Sequence, residues 1–167
     1  MGHQLGGNHT FSHTAENNAV NVEPGSGSTI MGYAGITGST DVQAHSDDYF
    51  SFASINQIQT NLASKTCPVT TNITHGTPVM SAGSDYTIPY GTPFKLVGSG
   101  TDSGNPVISY CWEQSDDATT VSSASSFPSG TKTNGPNYRS LRPVSVPYRY
   151  FPALQTVLGN LISTTWE

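Results

Sequence analysis

Met1-Gly2-His3-Gln4-Leu5-Gly6-Gly7-Asn8-His9-Thr10-Phe11-Ser12-His13 opens the chain, and its reading decides how the remainder is understood. The stretch holds three of the five histidines in the sequence. His3-x-x-Gly6-x-x-His9 reproduces the second half of the signature H-E-x-x-H-x-x-G-x-x-H, which builds a zinc site. There, two histidines one helical turn apart face the metal. A glycine then lets the chain turn sharply, so that a third imidazole completes the protein ligands and leaves one position for water. Read back from His3, the first histidine and the general-base glutamate fall before Met1, so the motif is expected to be cut through its middle.

A second motif lies downstream. Glu23-Pro24-Gly25-Ser26-Gly27-Ser28-Thr29-Ile30-Met31-Gly32-Tyr33-Ala34-Gly35 sets a methionine in a glycine-flanked turn. A histidine triad followed by such a Met-turn, an apolar floor beneath the metal, is the metzincin pattern. On these residues the chain resembles a reprolysin-like metzincin of the kind found in secreted bacterial multidomain peptidases, over about its first 65 residues. The resemblance implies a secreted zinc endopeptidase acting on protein or peptide substrates. His3 and His9 would be two of its three zinc ligands, Gly6 the motif glycine and Met31 the floor. The catalytic glutamate would lie before Met1, which would leave this chain alone inactive and its hold on zinc weak or absent. Tyr33 matches the M-x-Y version of the turn, where it would either polarise a substrate carbonyl or serve as a buried structural tyrosine.

Composition agrees with an extracellular, loop-rich protein. Charged residues are 10% of the 167, and the apolar fraction of 34% allows a modest core. No Lys or Arg precedes Lys65, whereas Glu16, Glu23, Asp41, Asp47 and Asp48 do. That segment therefore carries the whole net charge of -5, the remaining six acids balancing the six bases. There is no basic stripe for a phosphate backbone, so nucleic acid is not an expected partner. No apolar run is long enough for a membrane span, and Met1 leads into polar sequence rather than a signal peptide. Cys67 and Cys111 are the two cysteines, an even pair that fits one disulfide in an exported protein or two buried thiols.

The expected fold is α+β overall, in two domains. Residues 1–66 would be the helical and loop-rich C-terminal part of a metzincin catalytic domain. Residues 67–167 would be an all-β immunoglobulin-like sandwich, itself cut short at its C-terminus. Residues 1–5 read as the last turn of a helix, and 10–28 as an irregular loop. Ser46-Asp47-Asp48 resembles an N-cap with first-turn acids. Tyr49, Phe52, Ile55, Ile58 and Leu62 then form an apolar stripe, predicting a helix over about 47–64 with that stripe in the core. Strands are expected at 86–89, 94–98, 107–113, 138–142, 148–151 and 162–167, with a turn at Asp102–Pro106. Tyr110, Trp112 and Phe94 are expected to make the second segment the better packed one. His13, His45 and His75 match no ligand position and read as solvated, as do Asp102, Asp116 and Asp117. The competing function is a non-catalytic binding or adhesion module carried by residues 67–167.

Overall fold

Gly6 ends the first element. Residues His3–Leu5 form a single turn of 3-10 helix, and Gly6, at φ +95°, closes it with its N–H on the His3 carbonyl. The computed structural model describes all residues except 14, 15, 17, 73, 119–125 and 160–165. It divides into two compact units. The first comprises Met1–Pro68, Glu113–Arg142 and Ile162–Glu167, and the second Val69–Trp112 and Pro143–Leu161. The fold is α+β, a few helices with small antiparallel sheets.

The centre of the first unit is mostly polar. Phe11 and Met31 are buried there, but so are Thr10, Asn21, Glu23, Ser28 and Thr29. A buried carboxylate is costly unless its oxygens are filled, and at 2% exposure Glu23 meets that condition. Its Oε1 accepts the backbone N–H groups of Ser28 at 2.9 Å and Thr29 at 3.1 Å. Its Oε2 accepts the hydroxyls of Thr29, at 2.6 Å, and Thr10. The backbone closes the same link, since Glu23 N–H bonds the Thr10 carbonyl and Thr10 N–H bonds that of Met31. The segment 10–28, expected as an irregular loop, is therefore tied at both ends, with a parallel bridge between Phe11 and Glu23.

Helix α1 spans Phe52–Ala63, starting five residues later than the predicted 47. The cap is Ser51, whose hydroxyl accepts Ser54 N–H, and not Ser46. Residues 47–49 have other partners for their backbone. Asp47 N–H bonds the Ser28 carbonyl, and Ile30 N–H bonds the Tyr49 carbonyl, so this stretch lies along the methionine turn instead of joining the helix. The Asp47 carboxylate is also engaged, with Arg142 at 2.9 Å. Glu113 supplies a second cap, its Oε2 accepting Phe52 N–H at 2.7 Å, where a negative charge favours the helix N-terminus.

The apolar stripe is not core. Phe52 is 67% exposed, Ile55 41% and Leu62 37%. The helix turns inward the face bearing Ser54, Gln57, Ile58 and Asn61 instead. Periodicity marks an amphipathic face correctly but does not say which face finds a partner.

Among its described residues the second unit carries four short strands in two antiparallel pairs. Strand β1, Val79–Ser81, pairs with β3, Ser99–Thr101. Strand β2, Phe94–Val97, pairs with β4, Tyr148–Phe151, in the register Phe94 to Phe151 and Val97 to Tyr148. Strands β2 and β4 fall where short strands were expected. The expected strand 107–113 reduces to one bridge, Tyr110 with Val144, and 86–89 and 138–142 form none. Of 162–167, residues 162–165 lie outside the described residues and the last two are not in a strand. An immunoglobulin sandwich needs about seven strands in two facing sheets. Asp102 does form the predicted turn, accepting the N–H groups of Gly104 and Asn105.

Burial also runs opposite to expectation. Trp112, Tyr110 and Phe94 are half-buried, and among the described residues Phe151 is the buried apolar side chain of this unit. Phe94 stacks on Phe151 at 5.0 Å between ring centroids. Cys67 and Cys111 are exposed, and no disulfide joins them.

Glu23 yields the first prediction. Replacing it by alanine strands the Ser28 and Thr29 amides, each buried donor costing about 1–3 kcal/mol, for a loss of roughly 3 kcal/mol or more. Urea unfolding followed by a probe in the first unit should show the midpoint drop, and Glu23→Gln should lose less. An unchanged midpoint for Glu23→Ala contradicts the role assigned to the carboxylate.

Candidate functional site

The turn at Gly6 folds His9 back over His3. Their Nε2 atoms lie 2.9 Å apart, with the ring planes at 81°. Each ring is held from its other nitrogen. His3 Nδ1 is 2.8 Å from the Gly7 carbonyl, and His9 Nδ1 is 2.7 Å from Glu16 Oε2. Both partners are acceptors, so both Nδ1 atoms carry the proton and both Nε2 atoms present a lone pair. Two lone pairs at this distance repel unless a cation, either a shared proton or a metal ion, lies between them.

The pair is braced by α1 and by the methionine turn. Gln57 Oε1 accepts Asn8 N–H at 2.9 Å, and Asn61 Nδ2 donates to the Leu5 carbonyl at 2.8 Å. Asn61 also lies against Gly6, where a Cβ would meet its side chain at 2.7–2.8 Å. Met31 is 4% exposed, and its sulfur sits against Gly2 so closely that a Cβ there would collide with it. Tyr33 packs edge-on against His9, with centroids 4.3 Å apart, while Phe11 stacks on the other ring neighbours, His9 at 5.1 Å and Tyr33 at 4.5 Å. The structure thus brings together His3, Gly6, His9 and Tyr33, with Met31 packed beside Gly2.

His13 is half-buried against Phe11, at 4.6 Å, rather than solvated. Burial pushes its imidazole below the ordinary value of 6.5, against the opposing pull of Glu16 and Asp41. His45 and His75 are exposed, as expected. Asp41 organises a neighbouring loop, accepting N–H groups from Gly35 and Thr37 at 3.0 Å and Gly38 at 3.1 Å. The Thr37 amide, first among these, holds the Asp41 carboxyl below its usual range.

Residues 1–64 match the model of metallo-peptidase family M12B, reprolysin-like. The opening segment is thus similar to that family. The comparison with curated proteins finds no match, and that with solved structures finds none. The matched segment contains both histidines, Met31 and all of α1. The braces Glu113 and Arg142, which lie in the same compact unit, fall beyond it.

The donor set fits zinc as far as it goes. Two imidazole nitrogens on a tetrahedral zinc, each at 2.0–2.1 Å, stand about 3.3 Å apart, close to the separation of His3 and His9 here. Among the described residues no group of three or more His, Cys, Asp or Glu side chains could hold a metal ion. Among the described residues His3 and His9 therefore offer two converging nitrogen donors and not a complete set of metal ligands. Sequence reasoning missed Glu16, Glu23, Gln57, Asn61 and Glu113. Their partners are 5 to 61 residues away, and no short motif announces such links.

Two outcomes follow from this geometry. Gly6→Ala forces a left-handed φ on a residue with a Cβ, costing about 1–2 kcal/mol before any clash with Asn61. Thermal melting should register that loss, and an unaltered melting temperature argues against the turn. The lowered His13 value means that the folded state binds this proton less tightly than the unfolded chain. Its contribution to stability is complete above 6.5 and is lost as pH falls below that value. Unfolding measured at about pH 7.5 and about pH 5.5 should show His13→Phe losing less stability on acidification than the parent chain. Equal losses would assign the acid sensitivity elsewhere.

Proposed function

We propose that this chain carries two of the three zinc ligands of a secreted metzincin endopeptidase, with His3 and His9 as those ligands. The convergence of their Nε2 atoms, each backed by an acceptor on Nδ1, is the observation that supports the reading most. Zinc, when bound, supplies the Lewis acid that activates water for attack on a peptide carbonyl. The chain's own residues do the positioning. Gly6 turns the backbone, Gln57 and Asn61 hold the turn against α1, and Met31 fills the space beside Gly2 as the Met-turn residue. Tyr33, edge-on to His9, stands beside the ligand pair and is assigned to stabilising the substrate oxyanion.

In this reading the site also needs a third imidazole and a general-base carboxylate that His3 and His9 do not supply, and the 167 residues alone do not cleave peptides. The low charge content supports an exported parent, and the match to a metallopeptidase family supports protein or peptide substrates. Among the described residues no helix is long and apolar enough to cross a membrane.

Calorimetric titration of the chain with zinc tests the assignment. One weak site is expected, and His3→Ala or His9→Ala should each weaken it by more than about 100-fold. His45→Ala and His75→Ala should leave it unchanged. Equal zinc uptake by the His3 and His9 variants overturns the ligand assignment. Zinc-dependent peptide cleavage by the chain as it stands would place the base within these residues and contradict the second half of the proposal.

A further inference from the structure

We infer that Glu16 is a positioning residue that fixes His9 as an Nε2 ligand, an inference that rests on the zinc-ligand reading of His3 and His9. The two imidazoles are held in different ways. His3 Nδ1 bonds the carbonyl of Gly7, four residues along and within the same turn, so the fold of the turn itself sets that ring. His9 takes its Nδ1 partner from a side chain seven residues along, whose carboxylate is 45% exposed.

The remaining neighbours of His9 do not set its polarity. Phe11 stacks on the ring at 28° between planes, Tyr33 meets it at 62°, and His3 meets it edge-on. Aromatic packing of this kind fixes the plane of the ring. It does not distinguish the ring from its 180° flip, which exchanges nitrogen for carbon at the position facing His3. It also does not decide which nitrogen carries the proton. The hydrogen bond to Glu16 settles both, since a carboxylate accepts only a proton on Nδ1 and so leaves Nε2 bare toward His3. A carboxylate on the far nitrogen also strengthens the lone pair that a metal would use.

The test uses the full 167-residue chain and two readouts. Imidazole 15N NMR on the zinc-free chain, recorded where the rings are neutral, reports the tautomer of each histidine. In the parent His9 should be protonated on Nδ1. Glu16→Ala should move that proton largely to Nε2 while leaving His3 as it was. Glu16→Gln, which keeps an acceptor oxygen but not the charge, should restore the tautomer. Zinc affinity, measured by competition with a chromophoric chelator, should fall about 10- to 100-fold in Glu16→Ala and less in Glu16→Gln. A His9 tautomer unchanged in Glu16→Ala overturns the inference, as does unchanged zinc affinity beside a parent that binds. A parent chain that takes up no zinc would instead refute the ligand reading, and the tautomer would still decide the role of Glu16.

Discussion

The buried carboxylate of Glu23 is the constraint on which the first unit depends. One charged group gathers two backbone amides and two hydroxyls, and those donors belong to the two segments that must meet. Thr10 follows the second histidine of the pair, while Ser28 and Thr29 lead into Met31. A core with few apolar side chains has little hydrophobic driving force with which to hold such segments. Here hydrogen-bond geometry takes over that task, and it is more selective. A carboxylate with its oxygens filled tolerates one arrangement of its partners, whereas an apolar contact tolerates many.

Helix α1 extends the same logic to the histidines. Its polar face reaches the turn through Gln57 and Asn61, and Asn61 also fills the space that a glycine leaves at position 6. The start of the helix is in turn fixed by Glu113, whose second oxygen meets Ser140, itself bonded to Tyr49 and Ser28. Residues far along the chain therefore stabilise a turn whose two facing histidines lie in its first nine residues. The family match ends at residue 64, yet the compact unit continues through Glu113–Arg142.

What the sequence revealed was what depends on neighbours in the chain. His3, Gly6 and His9 make their geometry within one turn, so their spacing alone announces it. Strands β2 and β4 were visible as short aromatic-containing runs between turns, and both found partners. Residues 107–113 alternate with a period of two but make one strand-like bridge, Tyr110 with Val144, because such a period describes a strand and not its partner. The helix was placed too early for a related reason. Asp47 to Tyr49 carry helix-start chemistry, but their backbone groups bond residues 28 and 30 instead. The stripe of Phe52, Ile55 and Leu62 was assigned to the core, while the helix buries its glutamine and asparagine side. Glu113 read as a strand residue because its helix-cap partner lies 61 residues away, and Glu23 as a turn residue because no motif marks its links to Thr10, Ser28 and Thr29.

The central claim is that His3 and His9 share one ion through their Nε2 atoms. X-ray absorption spectroscopy at the zinc edge, on the 167-residue chain loaded with less than one equivalent of metal, addresses it most directly. The account predicts two imidazole nitrogens at about 2.0–2.1 Å, with oxygen completing the shell and no sulfur. A shell with one imidazole or none, or with a thiolate from Cys67 or Cys111, would contradict it.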